Sequence, residues 1–190
     1  MANELILNGY FGVKQSFHVS DPNVTTGWFA GQLFKIDSIG LSGAAALKGA
    51  TTSKGPFVGL NATSGAMITG VAMENSSDVT TAISGMQQPS GSKVTLLHGH
   101  SSFILEYNGT ATPSAALGQT AWAAAGIPWE YDVHASGALM DPLFASANGK
   151  FCVTTGGMAV SQDSVKHPIG HIWQVPTLAN SWQLGVVLYN

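Results

Sequence analysis

Apolar residues in this chain come in short runs, and most alternate with polar or small ones. Trp28, Ala30, Gln32, Phe34 and Ile36 fall on alternate positions and mark a strand over 27–37, closed by Ser38-Ile39-Gly40. The runs Pro56–Leu60 and Met67–Met73 follow, each bounded by glycine, then Val94–His98 and Ser102–Tyr107, separated at Gly99. Tyr131–His134, Phe151–Thr155, Ile169–Val175 and Leu184–Tyr189 complete the set. Short β-branched or aromatic runs between Gly, Pro, Asn and Ser are strand signals. The helical period is almost absent: Ala44–Lys48 and Thr120–Ala125 offer one turn each, and 109–118 reads as a Thr/Pro/Ala-rich loop. The pattern predicts an all-β protein, a β-barrel or a β-sandwich.

Two features suggest how the chain is divided. Asn8-Gly9-Tyr10-Phe11-Gly12 and Asp21-Pro22-Asn23 break any regular element, so 1–24 reads as an extended N-terminal arm that reaches a neighbour. A short pattern also recurs. Gly31–Ile36 is followed by Lys54–Leu60, and Gly149–Thr154 by Lys166–Ile172. In each, a glycine opens a strand and a Pro-apolar-Gly step bends the returning chain. This suggests two tandem β modules, 25–95 and 96–190, or one intertwined domain. The tail Leu184–Tyr189 has five apolar residues, one glycine and no charge. Exposed, it would be an aggregating edge, so it is expected as an inner strand beside Val175 and Trp182.

Composition narrows the function. Of 190 residues only 9% are charged, and Gly, Ala, Ser and Thr fill 80 positions. All seven basic residues are lysines. Without arginine, the usual bidentate reader of phosphate and guanine, no nucleic-acid partner is expected. One cysteine, Cys152, excludes an internal disulfide and a thiolate-rich metal site. No apolar run approaches the length of a membrane helix, and the first residues lack the basic start of a secretory signal. Few charges also mean little electrostatic protection against association, which points to a surface committed to neighbours. Of the five tryptophans, 28, 122, 129, 173 and 182, Trp122 and Trp129 flank a Gly/Pro-broken segment and are the better interface anchors. Tyr10, Phe11 and Phe17 on the arm are further interface candidates.

The sharpest chemical motif is His98-Gly99-His100, with two imidazoles at strand spacing. Gly91, His98, His100 and Glu106 resemble the first motif of the cupin barrel, and Pro168-Ile169-Gly170-His171 is similar to part of the second. The spacings depart from that family: six residues separate Gly91 from His98, five separate His100 from Glu106, and His171 follows Gly170 directly. An odd shift along a strand turns a ligand to the wrong face. His98, His100 and Glu106 are therefore metal-ligand candidates only, and no metal or other cofactor is expected. His18, His134 and His167 stand alone, Cys152 sits in a buried-strand pattern, and Asp132 and Asp141 lie nine apart with Asp141-Pro142 opening a turn. The glycine-rich stretch 40–49 lacks the Gly-Lys-Ser/Thr ending of a phosphate loop.

Gly31-Gln32-Leu33-Phe34-Lys35-Ile36-Asp37, the turn Ser38–Gly40 and Gly55-Pro56-Phe57-Val58-Gly59 resemble the compact β module of tailed-phage head decoration proteins. Asn148–Thr154, His167–Ile172, Val175–Asn180 and Leu184–Asn190 are similar to the same style of small virion protein. The resemblance implies a non-enzymatic capsid decoration protein. Its partners would be the major capsid protein and itself, as a homotrimer on the lattice, and its location the virion surface. The alternatives are a tail-tube, neck or baseplate component and, from another class, a cupin-like metal enzyme or sugar-binding module.

Overall fold

The computed structural model describes residues 3–7, 12–19, 28–38, 57–60, 65, 67–75, 93–109, 112–113, 122, 126–153 and 167–189. Their strands are β1 (Glu4–Leu7), β2 (Val13–Val19), β3 (Leu33–Ser38), β4 (Phe57–Leu60), β5 (Gly70–Ala72), β6 (Lys93–His98), β7 (Ser101–Glu106), β8 (Pro142–Ala145), β9 (Phe151–Cys152), β10 (Gly170–Gln174) and β11 (Gln183–Leu188). One short helix, α1 (Tyr131–Ser136), and a 3₁₀ turn, Leu178–Asn180, are the helical elements of the described residues outside the position of Trp122. The protein is all-β in class.

Strands β2 to β6 pair in a ring, in the order β2-β4-β3-β5-β6, and β6 returns to β2. The β2–β4 contact is parallel and every other pairing in the ring is antiparallel. Inside the ring lie Phe17, Val19, Phe34, Val58, Ala72, Val94 and Leu96, with Trp28 from the segment before β3. The ring closes where His18 and Val19 of β2 pair with Phe57 and Val58 of β4.

The other strands form an open antiparallel sheet, β1-β7-β11-β10-β8-β9. Alternation decides its faces. Phe103 and Leu105 of β7, Leu184, Val186 and Leu188 of β11, Ile172 of β10 and Leu143 of β8 are buried on the inner face. Register locks the set: Leu105 is opposite Leu184, Phe103 opposite Val186, and Val186 opposite Ile172.

The two sheets share one wall. In β3, β5 and β6 successive residues point to opposite cores. Phe34, Ala72 and Leu96 face into the barrel, while Leu33, Val71 and Leu97 belong to the cluster beneath the open sheet. Leu33 is opposite Val71, and Val71 opposite Leu97, so these three form a continuous row on the barrel's outside. All three are fully buried. Strands covered on both faces carry apolar residues side by side, which explains Leu33-Phe34, Val71-Ala72 and Leu96-Leu97. Backbone bonds stitch the same seam: Leu33 N–H donates to Gly149 O at 2.8 Å and Gly65 N–H to Ala145 O at 2.7 Å.

Several expectations change here. The N-terminal arm is not an arm: β1 is the first strand of the open sheet, paired with β7, and β2 closes the barrel against β6 and β4. Asn3 reinforces this, donating to Gly126 O at 2.9 Å while its own carbonyl accepts from Asn75 Nδ2 at 3.1 Å. The chain changes sheet between β1 and β2. The partner of β1 lies 96–102 residues away in sequence and those of β2 75–85 and 39 away, where no local pattern reveals them. A change of sheet does fall near the expected boundary at 95/96, between β6 and β7. The two parts are nevertheless not copies: β3 pairs β4 directly, whereas β8 lies between β9 and β10. The tail is an inner strand as expected, β11 between β7 and β10, but of an open sheet.

Tyr131–His134 is helical rather than extended. Four residues with two apolar positions fit either period, and the neighbours choose. Tyr131 and His134, one helical turn apart, both pack on Trp122. Pro142–Ala145 is a strand where only a turn was read, because Asp141 closes a turn that begins at Ala138 and Pro142 begins β8 at once.

Candidate functional site

The histidine motif comes first. Gly99, at φ +79°, and His100 carry the chain from β6 in the barrel to β7 in the open sheet. The two strands do not pair with each other, so the motif lies at a crossover and not at a hairpin tip. His98 packs edge-on against Phe17, with ring centroids 6.2 Å apart, and its Nε2 is buried without a hydrogen bond. His100 is exposed. Glu106 stands at the far end of β7, about 17 Å along the strand from its start, and accepts a hydrogen bond from Gln183 Nε2 at 3.3 Å. The structure therefore separates Glu106 from the two histidines. No group of three metal-binding side chains forms among the described residues.

The expected interface anchors divide differently. Trp122 and Trp129 are fully buried. Trp122 Nε1 donates to Trp129 O at 2.8 Å, which fixes both within the core. They pack this chain and cannot anchor a partner. Phe17 is buried inside the barrel, at 9% exposure. Tyr10 and Phe11 lie outside the described residues. Cys152 is buried, with its Sγ 3.5 Å from Phe144 O, as its strand pattern suggested.

A polar cluster that sequence reading had not assembled surrounds α1. Glu130, which precedes the helix, is buried and reaches the β8–β9 turn. Its Oε1 accepts from Ser146 Oγ at 2.6 Å and from Asn148 Nδ2 at 2.9 Å. Ser146 Oγ in turn accepts from the N–H groups of Asn148 and Lys150. Ser146 N–H donates to Lys150 O, and Gly149 takes φ +67°, the left-handed position that a three-residue hairpin loop requires. Glu130 thus ties the helix start to this hairpin. Lys150 is also buried, and burial pulls its ammonium below the ordinary lysine range despite the favourable charge of Glu130.

Asp132 lies one position into the helix, 2% exposed, and neither carboxylate oxygen has a hydrogen-bond partner. Burial pushes its pKa up to about 6; nearby amides of Val133 and Val153 partly offset this, and the charge of Glu130 adds to it. Asp141 does not join Asp132: it accepts from Ala138 N–H at 2.8 Å in the turn before β8. His134 stacks on Trp122 at 5.1 Å, with Trp182 edge-on at 5.3 Å. Burial lowers its pKa. The available signal was compositional: Glu130 and Asp132 are two acids in a chain with few charges, set among Trp129, Tyr131 and Val133.

A second concavity lies between the barrel and the open sheet. It is a cleft of about 200 Å³ lined by Met67, Ile68, His167, Pro168, Ile169 and Tyr189. At its rim, His171 Nδ1 and Tyr189 Oη are 2.8 Å apart.

Comparison with protein-family models, curated proteins and solved structures finds no match.

The outer face of the open sheet is the remaining feature. Ile6 of β1 is opposite Ile104 of β7, which is opposite Gly185 of β11. The Trp173 indole lies over Gly185, where a Cβ would approach it to 2.6 Å. Val187 flanks this row at half-burial and Ile6 is 40% exposed. The result is an uncharged apolar strip across three neighbouring strands, with Glu4 and Glu106 paired at one end.

Proposed function

We propose that this chain is a virion structural protein that decorates a phage capsid, binding the outer lattice through the open face of its six-stranded sheet. The observation that carries the reading is the strip Ile6–Ile104–Gly185/Trp173 in a chain with 9% charged residues. Covering such a face removes apolar area from water at about 25 cal/mol per Å² and strands few charges. The mechanism is mechanical. Each bound copy adds contacts across capsomer junctions, and the shell gains stability by mass action. The partners in this reading are the major capsid protein and further copies of the chain, as a trimer on the lattice.

Immunogold labelling of particles from cells that make this chain tests the reading, using antibody raised against the purified protein. Gold distributed over the head surface at fixed stoichiometry is the expected result. Gold confined to the tail would favour a tube, neck or baseplate component. Particles without label would overturn a virion role.

A further inference from the structure

We propose that α1 is an acid-closed latch, which docks against the core with Asp132 protonated and loosens when Asp132 ionises. The geometry carries the inference. Asp132 is 2% exposed and no donor among the described residues completes a hydrogen bond to either oxygen. A buried carboxylate whose nearest amides, those of Val133 and Val153, offset only part of its desolvation is costlier charged than neutral. The helix that holds it is only six residues long, and its N-cap residue, Glu130, makes no side-chain cap bond. Val133 in the core and Glu130 at the β8–β9 hairpin hold α1 in place, and a charge on Asp132 works against those contacts.

The groups around Asp132 are few. Glu130, on the same segment, disfavours a second negative charge. From the β8–β9 hairpin comes Lys150, whose charge is coupled to Glu130. From beyond β9 comes the amide of Val153, which favours the charged form. On α1 itself His134 also titrates, with the opposite sense: its folded pKa is lowered, so its protonation in acid works against docking. Asp132 has a raised folded pKa, about 6 against 3.8. Its contribution is thus fully present below 3.8 and is lost as pH rises through about 6.

Hydrogen–deuterium exchange of the α1 amides in the intact protein tests this, comparing wild type with Asp132→Asn. Asparagine keeps the shape of the neutral acid and cannot ionise. Intrinsic exchange and His134 titration are common to both proteins and cancel in their ratio. Between about pH 4.5 and about pH 7.5, opening of α1 in wild type relative to the variant should rise on the order of 25-fold. Amides of β7 and β11 should show no comparable change in that ratio. A ratio that stays constant with pH would overturn the latch. So would millimolar calcium that slows α1 exchange in wild type and not in the variant, because Asp132 would then be a cation ligand. If Asp132→Asn does not fold, carboxyl ¹³C titration of wild type decides. A midpoint near 6 supports the latch, and one in the ordinary aspartate range contradicts it.

Discussion

The barrel and the open sheet are built from the same residue types yet present different surfaces. In the barrel, pairing returns on itself, and the ring encloses Phe17, Phe34, Val58 and Leu96. In the open sheet one face packs on the barrel. Leu105, Leu184, Val186 and Ile172 rest on the outside of the barrel, while Ile6, Ile104 and Val187 face the other way. The contrast shows that the row Leu33, Val71 and Leu97 has two duties, as barrel wall and as floor of the second core. It also shows where a partner has room among the described residues: on the outer face of the open sheet at Ile6, which is 40% exposed.

The most severe way to break this arrangement is to remove residues 1–20. That deletion takes β1 from the edge of the sheet and β2 from the ring, and with them Phe17 and Val19, each worth about 1.5–3 kcal/mol of burial. It should give insoluble protein, read as loss of the soluble fraction and of the β signal in circular dichroism. A soluble, folded remainder would restore the arm and refute the closed ring.

A substitution in the shared wall comes next. Leu97→Ala should cost about 2–5 kcal/mol, and calorimetry should still show one transition, because the strand that carries Leu97 also walls the barrel through Val94 and Leu96. Two separated transitions would mean that barrel and sheet are independent modules. Gly185→Ala is smaller. Its new methyl meets the Trp173 indole, and displacing it should cost about 1–3 kcal/mol, measured by denaturant titration. Ile6→Lys sharpens the comparison with the least effect on folding. Stability should change by no more than about 0.5 kcal/mol, while binding to particles falls, since a lysine on the uncovered strip must be desolvated on docking. Equal binding by wild type and Ile6→Lys would remove that strip from the interface.

What could be read from the sequence follows from how local the determining contacts are. Strands β4, β6, β7, β10 and β11 each carry their own alternation or apolar run within a few residues of the expected bounds. Strands β1 and β2 do not stand out, because their partners lie in β6 and β7 and their flanking glycines imitate a break. Tyr131–His134 was ambiguous since four residues cannot separate a period of two from one of 3.6; its helix is set by Trp122. At the level of sites, the spacing around His98 and His100 already argued against convergence with Glu106, and the separation along β7 agrees. Trp122 and Trp129 misled because flanking Gly and Pro suggest exposure, whereas the bond between them buries both. Glu130, Ser146 and Lys150 were invisible as a group, since a hairpin and a helix start meet only in the folded chain.

The central claim is that the outer face of the open sheet is the docking face on a particle. A cryo-electron microscopy map of purified particles carrying this chain tests it most directly. The account predicts density for the chain on the head, with Ile6, Ile104, Trp173 and Val187 against the shell or a neighbouring copy and the barrel projecting outward. A map in which the barrel is seated on the shell while that strip faces solvent, or in which the head carries no density for this chain, would contradict it.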